Sequence, residues 1–257
     1  MLGSPIGHSL SPALHRAAYA ALDLPWTYEA IDVTEDKLAA FIATLDASWA
    51  GLSLTMPLKE KVLGLLTDVD AEARTVRAVN TVLPSPTGWR GTNTDIFGMT
   101  QSLREAGLAA GRTATILGAG ATARSAVAAL ARLGVSEVTV CARRSEAADD
   151  VAEVGAGLGV VVQTASLEPE ASLAQVDVFV STLPGDAASL WADVVAVSSA
   201  ALLDAAYHPW PSPLAAVWPG PVVASGRDML LWQAVEQVRL MTGLAAPVES
   251  MRAALPD

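Results

Sequence analysis

The stretch Thr113-Ala-Thr-Ile-Leu-Gly118-Ala119-Gly120-Ala121-Thr122-Ala123 reads as a short apolar strand running into a tight turn that opens a helix. It carries the pattern G-x-G-x-x-A. The first glycine allows the turn, the second lets backbone N–H groups approach a pyrophosphate, and the small third residue lets helix and strand pack closely. The helix N-terminus adds partial positive charge where phosphates would sit. A second strand, around Val138-Thr-Val-Cys141, then ends in Ala142-Arg143-Arg144, with no carboxylate before Glu146. A carboxylate at that strand end bonds the ribose 2′-hydroxyl of NAD, whereas arginine accommodates a 2′-phosphate. The pattern therefore predicts a dinucleotide half-site that prefers NADP.

Outward from this motif, composition narrows the class. The chain has 257 residues, 52% of them hydrophobic, and a formal net charge of −11. That length suits two modest α/β domains. The negative charge argues against nucleic acid and anionic membranes as partners. Apolar runs are broken before they reach membrane-spanning length, and no basic region followed by an apolar stretch opens the chain. One cysteine, Cys141, excludes an internal disulfide and fits a reducing cytoplasm. Cys141 lies inside the strand pattern, so it reads as a small core residue. No Cys/His spacing suits a metal. The expected partner is a small molecule, and the expected state a monomer or homodimer.

Ahead of the motif lies an alternating pattern of its own, which predicts a mixed, mostly parallel sheet. Ser11-Pro12 reads as the N-cap and first position of a helix through Leu22. Thr27 to Asp32 and Gly51 to Thr55 read as strands. Thr34 reads as the cap of a helix through Leu45, Leu58 to Leu66 as a helix, and 81–83 with 88–90 as a hairpin. Met1-Leu2-Gly3 leaves almost no residues for a strand before the Gly-Ser-Pro turn, so a first strand is expected to be missing. After a linking helix from Asp95, strands are expected at 113–117, 137–141, 160–164, 177–181, 201–204 and 221–224. Helices at 229–241 and 247–254 close the chain. The expected division is residues 1–94 plus 226–257 as a substrate domain and residues 95–225 as a Rossmann-like NADP domain, with the active site in the cleft between them.

Polar clusters interrupt the apolar elements outside the cofactor motif: Gly3 to Pro12, Ser53 to Lys59, Asn80-Thr81 with Gly91 to Asp95, and Tyr207 with Gly226 to Gln233. Seven motifs stand in order through them and the cofactor turn. They are Pro5-Ile-x-His8-Ser9-x-Ser11-Pro12, Thr55-x-Pro57-x-Lys59, Val79-Asn80-Thr81, Asn93-Thr94-Asp95, Gly118-Ala-Gly-x-x-Ala123, Asp204-x-x-Tyr207 and Gly226-x-x-Met229-Leu230-x-x-Gln233. Together they resemble the shikimate dehydrogenase family over nearly the whole chain.

The resemblance implies reversible, NADP-linked reduction of 3-dehydroshikimate to shikimate, a step of aromatic amino-acid biosynthesis. It implies Ser9 and Ser11 as holders of the substrate carboxylate, and Thr55, Asn80, Asp95 and Gln233 as binders of the ring hydroxyls. Lys59 and Asp95 are implied as the catalytic pair, with Tyr207 closing over the substrate. It adds Thr182, Ala205 and Gly226 to the cofactor side. The residue chemistry agrees. Hydride reduction of a ketone leaves an alkoxide that needs a proton or a nearby cation, and a lysine ammonium supplies both. Lys61 reads as solvated and His8 as a structural turn residue. Four positions depart from the family pattern. Ser53 stands where Asn is common, so weaker local loop bonding is expected. Ala121 replaces a glycine, Ala142 replaces an Asn, and Met241 stands where Trp often precedes Thr-Gly. The rival readings are an NAD-linked quinate/shikimate dehydrogenase, disfavoured by Ser11 and the arginine pair, and a non-catalytic NADP sensor, disfavoured by the retained Lys59 and Asp95.

Overall fold

In the computed structural model, which describes residues 1–256, the chain forms two units. One is Met1–Thr94 with the segment from Leu230 onward, and the other is Asp95–Met229. The first opens with β1 (Leu2–Gly3), α1 (Ser11–Ala21), β2 (Ile31–Asp32), α2 (Glu35–Ile42), β3 (Leu52–Ser53) and α3 (Leu58–Lys61). It continues with β4 (Asp68–Val69), α4 (Ala71–Thr75), β5 (Thr81–Ser85) and β6 (Gly88–Thr92). The first strand is present after all. Leu2 and Gly3 pair parallel with Ile31 and Asp32, and Leu2 also bridges Leu54. Two residues suffice because Leu2 is fully buried in the core of this unit, beside Val33, Leu54 and Leu58.

The strands expected at 27–32 and 51–55 are shorter than their apolar runs suggest. Only Ile31–Asp32 and Leu52–Ser53 join ladders. Neighbouring groups bond elsewhere: Thr55 N–H donates to Leu2 O, and Arg16 Nε donates to Tyr28 O. The four-stranded sheet runs β3-β5-β6-β4, antiparallel at β3–β5 and β5–β6 and parallel at β4–β6. The expected hairpin is β5–β6. The helix expected through Leu66 tightens after Lys61 into a 3₁₀ turn, Val62–Leu65. Likewise α2 ends at Ile42, short of Leu45.

The second unit holds α5 (Asp95–Glu105), β7 (Thr113–Leu117), α6 (Ala121–Arg132), β8 (Glu137–Ala142), α7 (Ser145–Gly157) and β9 (Val161–Ser166). It ends with β10 (Val178–Ser181), α8 (Ala192–Val195), β11 (Ala201–Asp204), α9 (Pro213–Val217) and β12 (Val223–Ser225). Its six strands lie in the order β12-β11-β10-β7-β8-β9, all parallel. The order reverses beside β7, the place where an open α/β sheet leaves a crevice for a ligand. Fully buried Ile116, Val140, Phe179, Val180 and Leu202 carry the sheet's core, with Trp191 and Trp218 packed on Phe179. Cys141 is buried in the same layer, and burial together with nearby Glu170 pushes its thiol up to about 12.

α10 (Gly226–Thr242) and α11 (Val248–Ala253) close the chain. Leu231, Ala234 and Val238 of α10 and Met251 of α11 pack with Leu14, Ala18, Tyr19 and Tyr28, so these helices share a core with α1. Among the described residues, no helix is long and apolar enough to cross a membrane.

Candidate active site

The turn after β7 is built around a glycine that nothing else could replace. Gly118 has φ +99°, and a Cβ there would lie 2.4 Å from Thr182 Oγ1. Thr182, just past β10, donates to Leu117 O from both its N–H (2.9 Å) and its hydroxyl (2.8 Å). Two of the expected cofactor residues are thereby locked together where the strand order reverses. Gly120 is the N-cap of α6, no side chain caps this helix, and a Cβ at Gly120 would meet nothing within 4 Å. The first-turn N–H groups therefore face room for a phosphate, while buried Ala123 keeps helix and strand close. Beyond β8, Ala142 is half-buried and Arg143 and Arg144 are exposed. A Cβ at Gly226 would lie 2.3 Å from Ala205 O, so these two candidates also touch. The donor set (open backbone amides and two exposed guanidinium groups) fits a phosphorylated dinucleotide.

Asp204, at the end of β11, anchors the loop that carries Tyr207. It accepts from Ser212 Oγ at 2.5 Å and from Ala206 N at 3.1 Å, while burial pushes its carboxyl up. Tyr207 is half-buried, and burial raises its phenol.

In the first unit, three backbone contacts draw the substrate-side candidates onto adjoining segments. Thr55 N donates to Leu2 O (2.9 Å), Leu54 N to Asn80 O (2.7 Å) and Val79 N to Lys59 O (2.8 Å). A Cβ on Gly3 would lie 2.4 Å from Thr55 Cγ2, so the chain entering the Ser9–Ser11 turn runs directly against the Thr55 loop. Thr55 and Lys59 are half-buried, whereas Asn80 is buried. Gln233 is buried on α10 and donates to Leu230 O at 2.8 Å. Asp95 is buried and opens α5 in the other unit. Lys61 and His8 are exposed.

The cap of α1 differs from expectation. Leu10 is the N-cap, Ser11 and Pro12 are already helical, and no side chain caps the helix. Ser9 Oγ accepts from Ser11 N at 3.3 Å. The Ser53 loop also differs. Rather than being weakly bonded, Ser53 accepts from the Tyr28 hydroxyl (2.7 Å) and donates to Gln237 Oε1 (2.8 Å). Around it lies a buried polar group that the motifs did not single out. His15 bonds Gln237 Oε1 through Nε2 (3.0 Å) and Tyr19 through Nδ1 (3.1 Å), and its ring stacks on Tyr28 at 4.1 Å. A spacing signal was present. Ser11, His15 and Tyr19 recur every four residues on α1, as do Gln233 and Gln237 on α10, so each set shares a helix face.

Burial drives the His15 imidazole down to about 3. The unfolded chain takes up that proton near pH 6.5, so stability is fully present above that pH and is lost as pH falls toward 3. Between pH 7 and pH 5 this one group is expected to remove about 2 kcal/mol of stability. Urea titrations at the two pH values should show a smaller loss for His15→Gln than for the wild type. Equal losses would mean that His15 is not the titrating group.

Comparison with known proteins bears on the whole chain. Family models match in succession: the shikimate dehydrogenase substrate binding domain over residues 1–82, shikimate / quinate 5-dehydrogenase over 102–197, and the shikimate 5'-dehydrogenase C-terminal domain over 226–255. A shikimate dehydrogenase (NADP(+)) of Anaeromyxobacter sp. (strain Fw109-5) is 38% identical, the match covering 99% of this chain and 94% of that protein. The crystal structure of Mycobacterium tuberculosis shikimate dehydrogenase superposes with a TM-score of 0.91 at 41% identity, covering 98% of this chain and 96% of that one. Shikimate 5-dehydrogenase from Thermus thermophilus, solved in complex with NADP(H) and shikimate, superposes with a TM-score of 0.85 at 31% identity, covering 98% of this chain and 96% of that one.

Proposed function

Because this chain belongs to the shikimate dehydrogenase family, we propose that it catalyses the NADP-linked interconversion of 3-dehydroshikimate and shikimate with Lys59 and Asp95 as its catalytic pair. The observation that supports this most is the convergence of Thr55, Lys59 and Asn80 on adjoining backbone segments of one unit, through the Leu2–Thr55, Leu54–Asn80 and Lys59–Val79 contacts.

The residues divide the work. Gly118 to Ala123 hold the pyrophosphate of the cofactor through backbone N–H groups, and Arg143 and Arg144 take its 2′-phosphate as charged donors. Bound NADPH supplies the hydride that the ketone carbon accepts. Lys59 Nζ carries the proton that the nascent alkoxide needs and offsets its charge while it forms. The Asp95 carboxylate orients that ammonium. The Ser9 and Ser11 hydroxyls donate to the substrate carboxylate. Thr55, Asn80 and Gln233 bind the ring hydroxyls, and Tyr207 covers the ring and excludes water.

The test is absorbance at the reduced-nicotinamide band with purified protein, shikimate and NADP, repeated with NAD and with quinate. NADP-selective turnover of shikimate is expected. A preference for NAD and quinate would overturn the arginine assignment, and silence in every combination would overturn the catalytic reading.

A further inference from the structure

One run of hydrogen bonds inside the first unit ends on Asn80, a residue proposed above to hold substrate. Tyr28 bonds Ser53, and Ser53 bonds Gln237. From Gln237 the run continues to Thr81 and then Asn80. Gln237 is its midpoint, 1% exposed.

The chemistry of each group fixes the direction of the bonds. The Asn80 carbonyl, 3.4 Å from Gln237 Nε2, can only accept. The amide nitrogen of Gln237 must therefore face it, and the amide oxygen must face Ser53 and His15. Thr81 Oγ1 receives from Gln237 Nε2 at 2.9 Å and so donates its own hydrogen to Asn80 Oδ1 at 2.8 Å. Thr94 N–H donates to the same oxygen at 2.8 Å. The Asn80 oxygen is thus committed within the protein, while its NH₂ group donates to Thr94 Oγ1 at 3.0 Å. A flipped Asn80 would set two donors against that NH₂. On the other arm, the Ser53 hydrogen goes to Gln237, so Ser53 accepts the Tyr28 hydrogen.

We infer that Gln237 is a positioning residue for substrate. Through Thr81 it sets the Asn80 amide as a donor to a ring hydroxyl. Asn80 carries this weight only under the substrate reading proposed above. Burial of the whole run makes its bonds rigid, since a half-satisfied polar group in a core is costly.

Steady-state kinetics on four variants of the full chain test this: Gln237→Leu, Thr81→Val, Asn80→Ala, and the double variant with Gln237→Leu and Asn80→Ala. Circular dichroism confirms folding of each. Gln237→Leu is expected to raise KM for shikimate about tenfold, the equivalent of one lost hydrogen bond, and to leave KM for NADP within about twofold. Thr81→Val, nearly isosteric, cuts the link while sparing Gln237 and should shift the same constant in the same direction. It decides the matter if Gln237→Leu does not fold. Adding Gln237→Leu to Asn80→Ala should cost little more than Asn80→Ala alone, because the two act in series. A merely structural glutamine predicts additive effects or equal shifts in both KM values, and either would overturn the inference. So would an unchanged shikimate KM in Gln237→Leu and Thr81→Val beside a raised one in Asn80→Ala. An unchanged KM in Asn80→Ala itself would instead overturn the substrate reading beneath it.

Discussion

Lys59→Ala is expected to lower kcat about 10³-fold and to leave KM for shikimate and for NADP within about threefold. Reduction of a ketone builds charge on oxygen only as the barrier is climbed, so a cation that meets that charge acts mainly in the transition state. The fold tolerates the change. Lys59 is half-buried on a four-residue helix, and its backbone carbonyl, which accepts from Val79 N at 2.8 Å, survives in alanine. Alanine also keeps helix propensity. The measurement is kcat and both KM values, with a thermal melt to confirm an unchanged fold. A variant that kept most of its kcat would remove Lys59 from the mechanism.

Replacing Arg143 and Arg144 together by alanine is expected to raise KM for NADP about 100-fold and to leave KM for NAD within about twofold, since each charged donor to phosphate contributes roughly 1.5–3 kcal/mol. Both side chains are exposed, so their truncation removes no core. Arg144 occupies the N-cap position of α7 without capping it through its side chain, so the helix start stays as it is. Parallel titrations with the two cofactors read the result. Equal losses for NADP and NAD would show that the arginines serve the fold or the shared phosphates rather than the 2′-phosphate.

The cofactor half was legible because its signals are local. A strand, a glycine forced to positive φ and an Ala-rich helix follow one another within 20 residues, and the structure places Gly118 at φ +99° against Thr182 as that pattern requires. The first unit was harder. A two-residue strand has no periodicity to read, and Leu2–Gly3 is a strand only because Ile31, Asp32 and Leu54 lie beside it. The α1 cap falls on Leu10, one residue before the Ser-Pro pair that local signals favour, and Ser11 is already helical. Gln237 was invisible because its partners are distant in sequence. Its bonds to Ser53 and His15 span 184 and 222 residues of sequence. Nothing in the neighbourhood of a glutamine on a helix announces a partner so far away, although its spacing from Gln233 marked the face it would occupy.

Cys141 offers a clock. It is the chain's single thiol, sealed in the middle of the parallel sheet and held at about 12, so almost none of it is thiolate at neutral pH. A thiol-reactive dye therefore has nothing to attack until β7 and β8 part and the sulfur meets water. The labelling rate reports the opening of the dinucleotide unit by itself, while the first unit, which has no cysteine, stays silent. Labelling followed with and without NADP would measure how tightly the cofactor keeps that sheet shut, with no label engineered into the protein.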